Sequence, residues 1–312
     1  MPHKDYLSAF KKSFIMGNEK SSASGKDKSQ GVSIHKEMRN ATNPAYLKLL
    51  DTEDLRDEFL VETLFSEDSI HAVYTLHDRM IIMGVRPMAS SIELPALEEW
   101  TKAAFFLERR ECGIINTGGA GTVEVDGKKF ELAKKECLYI GKGSRQVIFS
   151  SSKANEPADF YINSCPAHQV YPATKASLSD ANQVNLGQAL NSNERTIYQY
   201  IHEAGIQSCQ LVMGLTSFKG NSIWNTFPPH THMRRMEVYC YFDVPENQLI
   251  MHFMGEPEET RHLVIRNKQA VISPEWSIHA GVGTQPYSFI WGMAGENKAF
   301  TDMDAVAIDH LK

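Results

Sequence analysis

Long apolar runs, long basic runs and closely spaced cysteine pairs are all missing from this sequence of 312 residues. Without 18 consecutive apolar residues, a membrane-spanning helix is not expected. A net charge of −6 without a basic run argues against nucleic acid as a partner. The amino terminus lacks an uninterrupted apolar segment followed by small residues, so secretion is not indicated. The five cysteines are therefore interpreted as reduced, buried thiols of a cytoplasmic protein: Cys112, Cys137, Cys165, Cys209 and Cys240.

The first 33 residues differ in composition from the rest of the chain. The stretch GNEKSSASGKDKSQG, from Gly17 to Gly31, is rich in glycine, serine and lysine and has no hydrophobic periodicity. Such a composition buries too little apolar surface to fold, so residues 1–33 are predicted to be a flexible extension. Within it, Tyr6 to Met16 has the apolar spacing of a short amphipathic helix.

From residue 34 onward, short β-prone runs alternate with glycine, proline and aspartate. Asp126-Gly127 stands between two alternating runs and predicts a hairpin. Leu94 to Leu107 has the spacing of a helix that follows a proline. Because strands dominate, the predicted fold is all-β, with two jelly-roll barrels and a few short helices. We expect the barrels over residues 34–170 and 201–312, joined by a crossing segment over residues 171–200.

A weak internal repeat relates the two predicted barrels. ERRECGIINTGG (Glu108 to Gly119) aligns with MRRMEVYCYFD, and CLYIGKGSRQV aligns with AVISPEWSIHA. This alignment suggests a shared fold in which only the second barrel keeps polar ligands. It sets Phe105, Leu107, Cys112 and Gln146 opposite His230, His232, Glu237 and His279.

The stretch FPPHTHMRRMEVYCYF, Phe227 to Phe242, has the composition of a metal site. Alternate residues of a strand face one side, so His230 and His232 point into the same cavity. Glu237 has the opposite parity and reaches that cavity only if the chain turns between it and His232. His279 follows a proline-containing turn about 40 residues later and completes the metal pattern of a cupin barrel.

An isolated His-x-His pair is often a solvated surface pair. The added glutamate, the later histidine and the β-rich context favour a metal site instead. The predicted ligands are His230, His232, Glu237 and His279.

Several long segments resemble the 5-keto-4-deoxyuronate isomerases (4-deoxy-L-threo-5-hexosulose-uronate ketol-isomerases) of the cupin superfamily. They include NTFPPHTHMRRMEVYCYF and YSFIWGMAGEN in the second half and FFLERRECGIINTGGAGTVEVDGKKFEL and CPAHQVYPATK in the first. The resemblance runs from about residue 34 to the carboxyl terminus. It implies two cupin-type barrels, one Zn²⁺ per chain on the four ligands, and a cytoplasmic homohexamer active in the degradation of pectin and other uronate polysaccharides.

The implied reaction converts 5-dehydro-4-deoxy-D-glucuronate into 3-deoxy-D-glycero-2,5-hexodiulosonate through an enediol. Proton transfer needs an acid–base group, for which Glu237, Glu275 and Tyr239 are candidates. Their structural alternatives are a metal ligand, a rim acid and a packed tyrosine. The far carboxylate of the substrate needs a cation, for which Arg234 and Arg235 are candidates, with a surface or subunit-contact pair as the alternative.

Two other functions are compatible with the same residues. A cupin dioxygenase would hold a redox metal on three histidines and a glutamate, because such a mixed site does not select its metal. A non-enzymatic sugar-binding cupin is the other alternative. The complete ligand set and the lack of an attached DNA-binding domain favour an enzyme over a sugar sensor.

Overall fold

The computed structural model describes residues 32–299 and 301–312. Predictions for residues 1–31, including the amphipathic helix from Tyr6 to Met16, lie outside the described residues. Within the described part, none of the helices has the length and hydropathy needed to cross a membrane. The helices are short: α1 (Thr52–Phe59) and α2 (Glu98–Thr101), with 3-10 segments at Pro44–Leu49, Phe106–Glu108, Ala189–Asn191 and Ile308–His310.

Strands form most of the regular structure. The first twelve are β1 (Ser33–Arg39), β2 (Leu60–Val61), β3 (Ser69–Thr75), β4 (Ile81–Arg86), β5 (Ile92–Glu93), β6 (Arg110–Asn116), β7 (Gly121–Val125), β8 (Lys128–Leu132), β9 (Cys137–Ile140), β10 (Val147–Ser151), β11 (Phe160–Pro166) and β12 (Thr174–Ala176). The other twelve are β13 (Asn182–Leu186), β14 (Arg195–Ile201), β15 (Val212–Phe218), β16 (Trp224–Asn225), β17 (His230–Thr231), β18 (Arg235–Phe242), β19 (Ile250–Glu256), β20 (Glu259–Ile265), β21 (Ala270–Ser273), β22 (Ala280–Gly283), β23 (Ser288–Gly295) and β24 (Asp304–Ala305).

These strands form two similar units, each with a seven-stranded and a four-stranded sheet. The first unit has the orders β1-β3-β4-β11-β6-β9-β12 and β5-β10-β7-β8. The second has β13-β14-β15-β23-β18-β21-β2 and β16-β22-β19-β20, and β17 pairs separately with β24. The predicted all-β fold with two jelly-roll units is therefore confirmed.

Three hydrophobic cores hold the sheets together in four layers. One core fills the first unit between its two sheets, and a second fills the other unit in the same way. The third lies between the two seven-stranded sheets and includes Val73, Ile82, Val238 and Phe242. Strands of the large sheets are thus buried on both faces, which is why β6 and β18 are buried at every position.

The internal repeat predicted from the sequence has the same strand register in both units. Cys112 of β6 pairs with Ile140 of β9, and Glu237 of β18 pairs with Ser273 of β21. These are the positions that the sequence alignment sets opposite each other. In the first unit, Leu107 and Cys112 pack in the hydrophobic core, so apolar side chains stand where the second unit has polar ones.

The two units exchange short strands. β2 comes from the first half of the chain but pairs with β21 in the second large sheet. The expected crossing segment, residues 171–200, contains β12 on the first large sheet and β13 on the second. The unit boundaries at residues 170 and 201 stay predictions.

The helix predicted from Leu94 to Leu107 is mostly absent. Only Glu98–Thr101 is α-helical, and both flanking residues, Leu97 and Lys102, have a positive φ of 48°. This left-handed backbone ends a right-handed helix at each side. The hairpin predicted at Asp126-Gly127 is present, with positive φ at both residues, and it joins β7 to β8.

Candidate metal centre

The four predicted ligands come from three neighbouring segments of the second unit. His230 lies in β17, and His232 follows it directly. A turn closed by the bond from Arg235 N to His232 O then leads into β18, which carries Glu237. His279 immediately precedes β22. The predicted turn between His232 and Glu237 is thus present, and it brings both side chains to one cavity.

One donor atom from each of these residues lies within 4.8 Å of the other three. His279 Nε2 is 3.1 Å from His230 Nε2 and 3.0 Å from Glu237 Oε2. His232 Nε2 is 3.1 Å from the same carboxylate oxygen. Within the described part of the chain, this is the one such cluster of three or more potential ligands. Three imidazole nitrogens and a carboxylate oxygen converging on one point form the donor set of a divalent metal site.

Hydrogen bonds on the far side of two imidazoles orient them toward this point. His232 Nδ1 lies 2.8 Å from the carbonyl oxygen of Arg235, and His279 Nδ1 lies 3.3 Å from Ser273 Oγ. A carbonyl only accepts hydrogen bonds, so His232 carries its proton on Nδ1 and presents the Nε2 lone pair. Such outer contacts fix the tautomer that metal binding requires.

Burial and neighbouring charge set the protonation of the cluster. Burial, followed by the nearby His279, lowers the pKa of His230 to about 3, so its ring is neutral at pH 7. Burial alone would raise the pKa of Glu237, but the charge and hydrogen bonds of His279 and His232 outweigh it and hold that pKa well below its usual value. A neutral imidazole and an ionised carboxylate are the forms that bind metal ions. His230 and Glu237 are therefore in the protonation states that suit a divalent metal, at a site whose geometry also suits one.

The cluster opens into a pocket of about 340 Å³. His230, His232, Glu237 and Tyr239 contribute to its lining, together with a mainly apolar wall that includes Ile197, Phe227, Phe289, Trp291, Met293 and Met303. The Tyr239 hydroxyl lies 3.4 Å from Thr226 Oγ1. The pocket is large enough for a small sugar acid and offers a proton-bearing group close to the cluster.

Arg195 also lines the pocket, and sequence reasoning did not identify it. It stands at the start of β14, and Nη1 donates to Asn193 O at 2.8 Å. Among the residues that the structure describes, no carboxylate pairs with this half-buried guanidinium, and burial lowers its pKa. An unpaired arginine that faces a pocket is suited to bind an anion.

The two arginines predicted to bind substrate have different surroundings. Arg234 is half-exposed, lies 3.3 Å from Asp302, and is not among the residues that line the pocket. Arg235 lines the pocket and is buried, but Nη1 donates to Ala299 O at 2.8 Å and Nη2 to Asp302 O at 3.4 Å. Its Nε has no partner among the described residues. Arg235 thus fastens the carboxyl-terminal segment with its two terminal nitrogens.

Glu275, a predicted proton-transfer candidate, lies outside the pocket lining. Its Oε2 is 3.1 Å from Nδ1 of His77, a residue of the first unit. That hydrogen bond lowers the pKa of the Glu275 carboxyl. The structure brings Glu237 and Tyr239 together with the cluster but does not bring Glu275 to the same pocket.

Comparison with known proteins gives a family match over most of the chain. The model described as the KduI/IolB family matches residues 64–310. A protein of Shouchella clausii named 4-deoxy-L-threo-5-hexosulose-uronate ketol-isomerase is 51% identical over 276 residues, which cover 88% of this chain and 100% of that protein. A protein of Formosa agariphila with the same name is 49% identical over 281 residues, covering 90% of this chain and 100% of the relative.

Solved structures share the fold at much lower identity. An IolB-like protein from Salmonella typhimurium has a TM-score of 0.60 at 13% identity, covering 73% of this chain and 87% of that chain. An oxalate decarboxylase from Bacillus subtilis has a TM-score of 0.52 at 9% identity, covering 73% of this chain and 71% of that chain. These similarities support the cupin fold of both units.

Proposed function

This chain belongs to the KduI/IolB family, and we propose that it is a metal-dependent aldose–ketose isomerase. The proposed reaction converts 5-dehydro-4-deoxy-D-glucuronate into 3-deoxy-D-glycero-2,5-hexodiulosonate. The names and near-complete coverage of relatives about half identical in sequence support this reaction. The observation that carries the proposal is a metal-ligand cluster that opens into a pocket also lined by Arg195, which pairs with no carboxylate among the residues that the structure describes.

The proposed metal is one Zn²⁺ per chain, held by His230, His232, Glu237 and His279. The donor types support zinc, and isomerisation requires no redox change. A divalent metal at this position would supply a Lewis acid that stabilises negative charge on the sugar oxygens. Cytoplasmic location, hexameric assembly and a role in the degradation of pectin and other uronate polysaccharides belong to the same proposal, supported by the family resemblance.

Isomerisation removes the proton from C2 of the substrate and delivers one to C1, with an enediol between the two steps. Of the groups that line the pocket, the Glu237 carboxylate can accept a proton and the Tyr239 phenol can donate one. The apolar wall excludes bulk water, which limits loss of the enediol to side reactions. Tyr239 is the preferred donor because it is not needed to complete the ligand set.

The substrate also carries a carboxylate at the end opposite the aldehyde. Arg195 offers the guanidinium donors that its bond to Asn193 leaves free, and no acid among the described residues competes for them. A charge-assisted, two-point contact there would hold the sugar with its aldehyde end toward the metal cluster. This geometry favours sugar acids over neutral sugars.

The test is an assay of the purified, zinc-loaded chain on 5-dehydro-4-deoxy-D-glucuronate, with product followed by NMR and oxygen by electrode. We expect conversion without oxygen uptake, and loss of both bound zinc and activity in His279→Ala. Full activity in that variant would refute the ligand set. Oxygen consumed in step with substrate would instead identify a dioxygenase.

A further inference from the structure

A turn of the first unit contacts β18, the strand of the second unit that carries Glu237. This turn, between β3 and β4, is closed by the bond from Met80 N to His77 O at 3.1 Å. Its two central residues, Asp78 and Arg79, both have positive φ, at 42° and 56°. Hairpin turns of this shape usually carry asparagine and glycine, so a bulky Arg79 there adds local strain. Strain of this kind persists where surrounding contacts hold the backbone in place.

Asp78 supplies a hydrogen bond that the second unit lacks on its own. Strand β21 ends opposite Glu237, at Ser273, and the chain then turns away at Pro274. Met236, one residue earlier in β18, therefore has no partner in β21. Asp78 Oδ2 accepts a hydrogen bond from Met236 N at 2.8 Å. It thus takes the place of the acceptor that a longer β21 would provide.

The peptide that Asp78 contacts is also bonded to a metal ligand. Met236 N and Arg235 O belong to one peptide group, and Arg235 O accepts from His232 Nδ1 at 2.8 Å. A carboxylate on the N–H side polarises the peptide and makes its carbonyl a stronger acceptor. A stronger acceptor on Nδ1 fixes the imidazole and makes its Nε2 a better metal ligand.

The same turn holds the loop that carries His279. His77 accepts from Thr42 N through Nε2 at 3.2 Å, so its Nδ1 bears the proton and donates to Glu275 Oε2 at 3.1 Å. Trp276, beside Glu275, donates from Nε1 to Thr42 O at 3.2 Å. Two of the three segments that bring ligands to the cluster, β18 and the loop before His279, therefore bond to the first unit.

We propose that Asp78 is a positioning residue for the metal centre, acting on His232 through the Arg235–Met236 peptide. The first unit, which has Phe105, Leu107 and Cys112 where the second has His230, His232 and Glu237, thereby contributes to metal affinity in the second. This inference rests on the proposed function, because it assumes that the cluster binds a divalent metal.

The test compares zinc affinity in three variants of the full chain by competition with a chromophoric chelator. Asp78→Ala removes the acceptor, and loss of such an outer contact weakens metal binding by about 10- to 100-fold. Asp78→Asn keeps an acceptor oxygen without the charge and should fall between Asp78→Ala and the wild type. Asp68→Ala is the matched control, because half-buried Asp68 also has positive φ and accepts one backbone N–H, from Met88 at 2.8 Å, within the first unit.

A second readout is the visible absorption of the Co²⁺-loaded protein, which should change in Asp78→Ala and not in Asp68→Ala. Wild-type zinc affinity and an unchanged Co²⁺ spectrum in Asp78→Ala would overturn the proposal. If Asp78→Ala does not fold, zinc affinity in Asp78→Asn equal to that of the wild type would overturn it as well. A wild-type chain that binds no zinc would instead refute the proposed function, so the two failures are distinguishable.

Discussion

Tyr239 is held in the pocket by aromatic packing more than by hydrogen bonds. Its ring lies edge-on to His279, with centroids 5.3 Å apart, and packs on Phe289 at 4.9 Å. Burial, and then the charge of Glu237, raise the pKa of the Tyr239 phenol well above its usual value. The hydroxyl therefore keeps its proton at neutral pH, as the proposed role of proton donor requires.

Replacing Tyr239 with phenylalanine should separate catalysis from metal binding. We expect kcat to fall about 100-fold or more, the scale of a lost acid–base group, with bound zinc unchanged. Steady-state kinetics and metal analysis of the same preparation measure both effects. Tyr241→Phe is the control, because its hydroxyl bonds His252 Nδ1 at 2.7 Å and lies outside the pocket lining. Equal kcat in Tyr239→Phe and the wild type would contradict the proposed donor.

Arg195 should act on substrate binding. A hydrogen-bonded charge pair contributes about 1.5–3 kcal/mol, so Arg195→Ala should raise KM for the uronate about 10- to 100-fold. Arg195→Lys keeps the charge but loses the two-point geometry, and it should give an intermediate KM. Arg145→Ala, which removes an exposed arginine of the first unit, is the control. An unchanged KM in Arg195→Ala would show that the carboxylate binds elsewhere.

At the scale of elements, the sequence correctly predicted the features that short sequence motifs determine. The Asp126-Gly127 hairpin follows from two residues that tolerate positive φ. The turn after His232 follows from the parity difference between His232 and Glu237. The strand register shared by both units follows from the alignment of Cys112 with Glu237.

The same reasoning failed where long-range contacts decide. The apolar spacing of Leu94 to Leu107 does not reveal that Leu97 and Lys102 are left-handed. Arg195 lies 35 positions before His230, and only the pairing of β14 and β15 within the second large sheet brings it to the pocket. Asp78 belongs to the other unit altogether. The single sequence signal for Arg195 was its position at the start of an alternating run. Arginines at such positions are too common for this signal to identify a substrate-binding residue.

One buried acid joins the elements of the two units. Glu111 of β6 is fully buried and accepts three consecutive backbone N–H groups, from Cys209, Gln210 and Leu211, at 2.7, 2.8 and 2.9 Å. Tyr139 also donates its hydroxyl to Glu111 at 2.7 Å. The carboxylate thus fixes the backbone of residues 209–211, directly before β15 of the second unit begins.

Removing this carboxylate should destabilise the whole chain. Each buried N–H left without an acceptor costs about 1–3 kcal/mol, so Glu111→Ala should lower the free energy of unfolding by about 3 kcal/mol or more. Urea unfolding followed by circular dichroism measures the loss. Glu131→Ala, at an exposed position of β8, should change stability by less than about 0.5 kcal/mol. A similar small change in both variants would argue against the anchoring role of Glu111.

At the scale of the whole molecule, the two units share a hydrophobic core and a strand, so we expect them to unfold together. The core between the large sheets draws on both, and β2 of the first half extends the second large sheet. Asp159 of the first unit, itself buried, pairs with Arg86 and also with Lys268 of the second. Separating the units would expose that core and leave a buried carboxylate without one of its cations.

Metal removal should therefore shift the unfolding of the entire chain. Because the units share a core, we expect one thermal transition followed equally by far-UV circular dichroism and by tryptophan fluorescence. The proposed zinc site is assembled only in the native state, so free zinc at 100 times its dissociation constant should raise the free energy of unfolding by about 2.7 kcal/mol over the chelator-treated protein. Since β18 and the Asp78 turn connect the metal cluster to both units, that gain should move the single transition and leave no zinc-independent component.

His279→Ala should show the same single transition without the zinc-dependent shift. Two transitions, of which zinc moves only one, would mean that the first unit folds independently of the metal centre.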